Sequence, residues 1–271
     1  MQTKSASLIQ VLTLIFLCNT ACTKKNTPAP TSPPAPTKDI PVLPTPVTQN
    51  PHFPAKLESD NLLVTFKYSG TSGNVTEIES SDGKKEIYMY NDKDQLKEYD
   101  RYEKAERKYA VYYGLQDGIV TRGNQYKIES NGSVLTPIGN YRIEYDAEKR
   151  ISKVTFYDSK NQLLSEAIRT FSSDGSNLRI TTAGQNAGII EYAFDSKKAW
   201  YSRINYNQII SIESLPGLLL SNTNNVSKIS SSSTDGPARS FTYTYDAESF
   251  PTSWIETDAK GSKKTFKLTY K

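Results

Sequence analysis

Apolar and polar residues alternate along most of the chain after residue 57, in short runs separated by Asp, Asn, Gly, Ser and Lys. Residues 62–68 (LLVTFKY), 141–145 (YRIEY) and 241–245 (FTYTY) are clear examples. Alternation rich in Tyr, Thr, Ile and Val is typical of half-buried antiparallel strands, because successive side chains of a strand point to opposite faces. Turn-forming clusters recur about every 8–12 residues, which predicts roughly 14–16 strands between Asn61 and Lys271.

This pattern predicts an all-β fold, an antiparallel meander of hairpins that forms a strongly curled sheet or a barrel-like structure. The sequence leaves open whether the sheet closes. Only the stretch around Tyr201 to Leu220 lacks regular alternation, and we expect one short helix or a long loop there. Charged residues recur at alternate strand positions and the mean hydropathy is −0.58. A membrane barrel needs a continuous outward apolar band, so we predict a barrel or curled sheet in water.

A short unit of an aromatic residue followed by Asp or Asn recurs within this region. We expect the Asx side chain to bond its own backbone and start a tight turn, after which the next strand returns alongside. We therefore interpret Asp146, Asp158, Asp195 and Asp246 as turn formers and not as catalytic acids. The units are 145–148 (YDAE), 245–248 (YDAE), 90–92 (YND), 157–163 (YDSKNQL) and 194–198 (FDSKK).

The first 21 residues are predicted to be a signal peptide. Lys4 precedes an apolar run from Leu8 to Leu17, which is too short to span a bilayer as a helix. The segment ends in Asn-Thr-Ala-Cys at Cys22, which resembles the lipobox of bacterial lipoproteins, although Asn19 stands where Leu is usual. The resemblance implies that Cys22 is acylated, with palmitate among the acyl chains. The alternative is ordinary cleavage near Ala21, which would release a protein with a free thiol.

Residues 22–56 are predicted to be a disordered tether. Ten of the 14 prolines lie between Pro28 and Pro54, and such a stretch favours extended polyproline II over a packed core. The tether would hold the single domain, 57–271, away from the lipid surface, and we interpret His52 as a linker residue. An acylated Cys22 implies the outer membrane of a Gram-negative bacterium, and Lys24 and Lys25 favour its periplasmic face over the cell surface.

Composition excludes several kinds of chemistry. Cys18, Cys22 and His52 are the only cysteines and histidine, so the region from Leu57 onwards has neither. This absence excludes Cys/His zinc sites, haem ligation by His, a Ser-His-Asp triad and a Cys-His nucleophile within the domain. We predict no metal, no cofactor and no catalytic residue. The net charge of +4 from 33 basic and 29 acidic residues does not indicate a nucleic-acid partner.

Carboxylate pairs are the remaining candidates for catalysis. Glu144 with Asp146, and Glu77 with Glu79, each share one strand face, and we interpret both pairs as solvated strand surface. Residues 91–94 (NDKD) have some features of a calcium loop but lack its central Gly and distal Glu.

Tyrosine is unusually abundant: all 18 tyrosines lie between Tyr68 and Tyr270, together with Trp200 and Trp254. Flat aromatic faces with polar edges suit glycan or peptide ligands, so Trp200 and Trp254 are the candidate ligand-facing aromatics. Aromatic residues are also the usual cross-strand filling of antiparallel sheets, and the sequence favours that structural role.

Two family resemblances follow from these motifs. The Tyr-Asp units resemble degenerate YD repeats of Rhs-type proteins, which form long curled sheets. Over Asn61 to Lys271 the chain also resembles a family of bacterial lipoprotein domains of unknown function with a porin-like β fold. The resemblance implies a barrel-like sheet and no activity. It is carried by residues 194–198 (FDSKK), 224–229 (NNVSKI) and 241–252 (FTYTYDAESFPT), where Ser249 replaces the usual Gly.

The sequence thus predicts a membrane-anchored lipoprotein that acts as a non-enzymatic binding or structural module of the cell envelope. Its partners would be the bilayer, through Cys22, and a glycan or an envelope protein or peptide. A carboxylate-dependent glycan hydrolase and a lipid carrier remain as alternatives. Composition favours binding over catalysis but does not decide whether the protein is an enzyme.

Overall fold

The computed structural model describes residues 52–129, 134–173, 177–184, 187–213, 224–232 and 238–271. Sixteen antiparallel strands pair in chain order, and the first pairs with the last, so the sheet closes into a barrel. The strands are β1 Pro54–Ser59, β2 Leu62–Ser69, β3 Asn74–Ser80, β4 Lys84–Tyr90, β5 Leu96–Glu103, β6 Glu106–Gln116, β7 Ile119–Ile128, β8 Leu135–Tyr145, β9 Ile151–Asp158, β10 Leu163–Phe171, β11 Asn177–Gly184, β12 Gly188–Lys198, β13 Asn224–Ser231, β14 Arg239–Tyr245, β15 Pro251–Asp258 and β16 Lys263–Tyr270.

The all-β prediction is confirmed, including one short helix, α1 (Asn207–Glu213), in the irregular stretch. The barrel closes where Leu57 of β1 lies opposite Leu268 of β16. The Lys271 backbone N–H also donates to the Phe53 carbonyl at 3.0 Å. We call the end of the barrel where β1 begins and β16 ends the proximal end, and the opposite end the distal end.

Most apolar side chains face into the barrel, and most charged side chains face out. On β16, Phe266 and Leu268 are buried, whereas Lys267 between them is exposed. Ion pairs line the outer surface, such as Lys153 Nζ to Glu166 Oε1 at 3.0 Å. The charged outer surface differs from that of a membrane β-barrel, which presents an apolar band outwards. Among the residues that the structure describes, no helix is long and apolar enough to cross a membrane.

Five of the hairpins turn through the same five-residue geometry. The side-chain Oδ1 of the first residue accepts the backbone N–H groups of the third and fifth residues. The fourth residue has a positive φ, from 57° at Asp94 to 83° at Gly261. Local side-chain bonding thus fixes the turn, as predicted. The first residues of the five turns are Asn91, Asp146, Asp158, Asp246 and Asp258.

One predicted turn is wrong. Asp195 does not start a hairpin turn, because β12 continues through it to Lys198. Its Oδ1 accepts the Lys197 and Asn225 backbone N–H groups, so it joins β12 to β13. Long-range contacts with β13 therefore outweigh the local turn preference. Ser249 occupies the positive-φ position of its turn, at 68°, in place of the more permissive Gly.

The boundary between tether and barrel lies earlier than predicted. β1 begins at Pro54, inside the predicted tether, and both His52 and Phe53 are buried. His52 is not a solvated linker residue: its ring stacks on Phe250 at 4.3 Å, and Nε2 lies 3.2 Å from Asp246 Oδ2. The burial of an aromatic pair anchors the chain immediately before the barrel. The predicted signal peptide, Cys22 and the rest of the predicted tether lie outside the described residues.

Candidate functional site

A segment between β12 and β13 crosses the proximal opening of the barrel. We call residues 199–213 the plug; it ends in α1. Its contacts run to the turns of successive hairpins: the Asn205 backbone N–H donates to the Gly73 carbonyl at 2.9 Å, and the Tyr206 hydroxyl donates to the Asp94 carbonyl at 3.2 Å. Further along, the Ile151 backbone N–H donates to Gln208 Oε1 at 2.7 Å. These bonds fix the plug against the barrel wall.

Burial, not helix propensity, explains why α1 forms. Seven residues are too few for a stable isolated helix, and two consecutive isoleucines are poor helix formers. Ile209 and Ile210 are both buried in the hydrophobic cluster of the barrel. The plug therefore depends on the barrel for its conformation.

A pocket of about 230 Å³ opens where the plug meets the β6–β7 turn. The Tyr145 hydroxyl donates to the Val120 carbonyl at 2.7 Å, and Tyr206 lies with its ring centroid 6.0 Å from that of Tyr90. Both aromatic rings are thus held in place. Ile119, at the rim, is 41% exposed. The lining residues are Gly118, Ile119, Val120, Tyr145, Tyr206, Asn207, Gln208 and Ile209.

The pocket combines aromatic rings, aliphatic side chains and two carboxamides, and none of its eight lining residues carries a charge. Burial raises the pKa of Tyr145 to about 12, so its phenol is neutral at physiological pH. Aromatic faces beside amide groups suit a neutral ligand with apolar faces and hydroxyl edges, as in a sugar ring. A lining without a carboxylate offers no acid–base pair for glycoside hydrolysis.

A second group of polar side chains lies inside the barrel, and we call it the lumen cluster. Glu213, the last residue of α1, accepts a hydrogen bond from the Tyr109 hydroxyl at 2.8 Å, and Gln125 Nε2 donates to the same hydroxyl at 2.7 Å. Glu86 lies opposite Arg101 across β4 and β5, and the Arg101 guanidinium lies 4.9 Å from the Tyr109 ring centroid. The members of the lumen cluster are Glu86, Tyr99, Arg101, Tyr109, Tyr113, Tyr141 and Glu213.

Several polar atoms of the lumen cluster lack a hydrogen bond. Within the described ranges, the hydroxyls of Tyr99, Tyr113 and Tyr141 and the Oε1 atom of Glu213 are buried without a partner. The Tyr141 hydroxyl lies near the Glu213 carboxylate but does not meet hydrogen-bond geometry. Buried polar groups without partners are costly, so the cluster is a place where protonation or an internal water matters.

Burial also controls the ionisation of the lumen cluster. It raises the pKa of Glu213, and the nearby Glu86 carboxylate raises it further, while hydrogen bonding from tyrosine and the charge of Arg101 oppose this. Burial raises the pKa of Tyr109, Tyr113 and Tyr141 as well, and the charge of Glu213 adds to the effect on each of them. The phenols are therefore neutral, and Glu213 holds its proton to a higher pH than an exposed glutamate does.

The predicted site aromatics lie in the core. Trp200 is 3% exposed and Trp254 is 2% exposed. Trp200 of the plug stacks on Trp254 of the wall at 6.2 Å, and Trp254 stacks on Phe266 at 4.9 Å. This placement leaves no open indole face, so it favours the structural role of both tryptophans over the ligand-facing one. Cys22, the predicted lipidation site, lies outside the described residues.

Many tyrosines are also structural. Five tyrosine hydroxyls donate to backbone carbonyls on other strands or strand ends, at 2.7–2.9 Å. The sequence did not indicate the pocket tyrosine Tyr206 or the half-buried Glu213, because both lie in the stretch without alternation. The only sequence signal for them was the break in the alternation of apolar and polar residues. The five tyrosine donors are Tyr68, Tyr90, Tyr145, Tyr243 and Tyr270.

Comparison with solved structures finds similarity to porin-like proteins of Bacteroides. One, from Bacteroides uniformis, has 16% identity over 82% of this chain and 98% of its own, with a TM-score of 0.44. Another, from Bacteroides vulgatus, has 11% identity over 81% of this chain and 98% of its own, with a TM-score of 0.49. A DUF3836 family protein from Bacteroides vulgatus has 16% identity over 33% of this chain and 83% of its own, with a TM-score of 0.23.

No protein-family model matches the chain, and no curated protein matches its sequence. The relationship to YD repeats therefore stays a prediction, while the recurrent Tyr-Asp units are explained physically by the shared turn geometry.

Proposed function

We propose that this protein is a lipid-anchored module of the cell envelope that binds neutral glycans, without catalysis, in the pocket at the proximal end of the barrel. The observation that carries the proposal is the composition of that pocket: two positioned tyrosines, two carboxamides and no charged side chain. The acylated Cys22 and the Pro-rich tether would place the barrel in the envelope, where glycans are abundant. The outward polarity of the barrel supports a location in water and not within the bilayer.

Neither alternative function has comparable support. A glycan hydrolase needs two carboxylates flanking the substrate, and the pocket lining has none. Glu86 is buried and Glu213 is half-buried with its Oε1 shielded from solvent, and both lie in the lumen among tyrosines. A lipid carrier needs an open apolar cavity, whereas the inward apolar side chains form one buried cluster with the plug.

The binding test uses the full-length chain in detergent on an array of envelope glycans, followed by calorimetry with the best ligand. Ile119→Arg places a long charged side chain at the pocket rim without disturbing the core. We expect this variant to lose binding while its melting temperature stays within about 1 °C of wild type, since surface changes cost little. Leu163→Arg is the matched control: Leu163 is 59% exposed on the β9–β10 hairpin, away from the pocket lining. Equal binding by both variants would exclude this pocket.

The anchor is tested separately by metabolic labelling with a fatty-acid probe. We expect label in the wild type and none in Cys22→Ala, because acylation requires the thiol. Equal labelling of the two proteins would remove the lipid anchor from the proposal, and a soluble wild-type protein would do the same.

A further inference from the structure

The pocket and the lumen cluster share one short helix. Asn207, Gln208 and Ile209 at the start of α1 line the pocket, and Glu213 at its end reaches the lumen cluster. α1 has only about two turns, and the Ile209 and Ile210 backbone N–H groups both donate to the Tyr206 carbonyl at 2.9 Å, so the residues that line the pocket are joined directly to the turn that carries Glu213. A change at Glu213 that displaces α1 therefore also displaces the pocket wall.

We propose that Glu213 is a proton-dependent latch, which holds α1 against the barrel when it is neutral and releases it when it is ionised. This inference concerns the regulation of the binding pocket and so rests on the proposed function for its biological meaning. The latch itself is a property of the fold and can be measured without any ligand.

The geometry around Glu213 explains why ionisation would loosen the helix. Its Oε2 accepts a hydrogen bond from the Tyr109 hydroxyl, but its Oε1 is buried without a hydrogen-bond partner. A neutral carboxyl can donate its own proton to a nearby hydroxyl, such as that of Tyr141, which is also without a partner. An ionised carboxyl at the same place would be a partly unpaired buried charge, which is far more costly than a neutral group.

The charged and titratable neighbours agree with this account. Glu86 on β4 repels a second negative charge at Glu213, and the charge of Arg101 on β5 acts in the opposite direction. Tyr99 on β5, Tyr109 and Tyr113 on β6 and Tyr141 on β8 are the neighbouring phenols, and burial keeps them neutral. Tyr88 on β4, also neutral through burial, donates to Glu86 Oε2 at 2.6 Å.

The sign of the pH dependence follows from linkage. Because the pKa of Glu213 is raised in the folded protein, the folded state binds this proton more tightly than the unfolded state does. The stabilising contribution of Glu213 is complete at pH values below its pKa in the unfolded state. It is lost as pH rises through its pKa in the folded state. Ligand binding that requires the docked helix would weaken over the same range, by at most about tenfold per pH unit for one coupled proton.

The ligand-free test follows the near-ultraviolet circular dichroism of the full chain from pH 5 to pH 9. Trp200 of the plug stacks on Trp254 of the wall, so displacement of the plug should reduce the tryptophan signal. We expect the wild-type signal to fall as pH rises and that of Glu213→Gln to stay flat, because glutamine is uncharged at every pH. Equal transitions in the two proteins, or none in the wild type, would overturn the latch.

Two further variants test the latch even if Glu213→Gln fails to fold. Glu86→Gln removes the like charge and should move the wild-type transition to lower pH, since that charge raises the pKa of Glu213. Tyr109→Phe removes a donor that favours the ionised form, and should move the transition to higher pH. A purely structural role for these residues would change stability without shifting the midpoint in opposite directions, and that result would overturn the proposal.

Glycan affinity measured over the same pH range separates this inference from the proposed function. Affinity that falls with pH in the wild type but not in Glu213→Gln supports both. Binding that is lost equally with pH in both proteins would refute the latch and leave the binding function standing. A dichroism transition that requires Glu213, without glycan binding at any pH, would refute the binding function and leave the latch standing.

Discussion

The hairpins of the barrel wall and the plug between β12 and β13 follow different rules, although both connect antiparallel strands. In the wall, five turns use one Asx geometry whose hydrogen bonds all lie within five residues. The plug instead takes its conformation from distant partners, such as Gly73, Asp94 and Ile151. The wall is therefore specified locally, and the plug, which carries the candidate pocket, is specified by the completed barrel.

The largest effect should come from the contact that joins plug and wall. Trp200→Ala removes an indole stacked on Trp254 and leaves a cavity, so we expect a loss of about 3–5 kcal/mol of unfolding free energy. Urea denaturation measures it. Ile255→Ala is the control, because Ile255 neighbours Trp254 in sequence but is exposed on the outer face. A loss below about 1 kcal/mol for Trp200→Ala would mean that the plug is not part of the core.

The next effect tests whether the wall turns depend on their side-chain acceptor. Asp158→Ala removes the acceptor of two backbone N–H groups, from Lys160 and Gln162, each at 2.8 Å. We expect a loss of about 1–2 kcal/mol in urea denaturation. Asp158→Asn keeps an acceptor oxygen, as Asn91 does in its own turn, and should stay close to wild type. If both substitutions cost the same, the negative charge and not the turn geometry would be the stabilising feature.

A smaller effect, of opposite sign, concerns the positive-φ position of the same turns. Ser249 has a φ of 68°, a conformation that costs a side-chain-bearing residue about 1–2 kcal/mol and glycine almost nothing. Glycine also gives the unfolded chain more conformational entropy, which offsets part of this gain. Ser249→Gly should therefore stabilise the barrel by about 0.5–1 kcal/mol, or roughly 2 °C in melting temperature. Ser253→Gly, on β15, should destabilise instead. A lower melting temperature for Ser249→Gly would show that the serine side chain contributes more than its strain costs.

The smallest expected effect is a difference between wall and plug in how their stability changes with pH. Hydrogen bonds from the Ser262 and Lys260 backbone N–H groups hold the pKa of Asp258 below its usual range. The wall is therefore stabilised above the ordinary aspartate pKa and loses this contribution as pH falls, whereas Glu213 in the plug loses its contribution as pH rises. Asp258→Asn should reduce the loss of melting temperature on acidification and leave the alkaline side unchanged. A changed melting temperature of Asp258→Asn at alkaline pH would mean that the pH responses of the wall and the plug are coupled.

The wall was predictable because its information is local. Alternation fixed the strands, and the Asx residues fixed most turns, since a side chain can bond only the backbone near it. Asp195 shows the limit: its sequence context matches the turns, yet its oxygens bond Asn225 across the plug insertion. His52 shows a second limit of prediction from sequence. Its Pro-rich flanks indicate a linker, whereas stacking on Phe250 buries its ring.

The sequence by itself determined an all-β chain of hairpins, most of their Asx turns and the absence of His and Cys after residue 56, and it predicts an anchor at Cys22. These features depend on composition or on residues that lie close together in the chain. Only the tertiary structure decided that the sheet closes and that Trp200 and Trp254 stack on each other in the core. It also decided that Tyr206 immediately precedes α1 and that Glu213 ends it. Closure and plug docking depend on contacts between residues far apart in the chain, whose pairing no local pattern encodes.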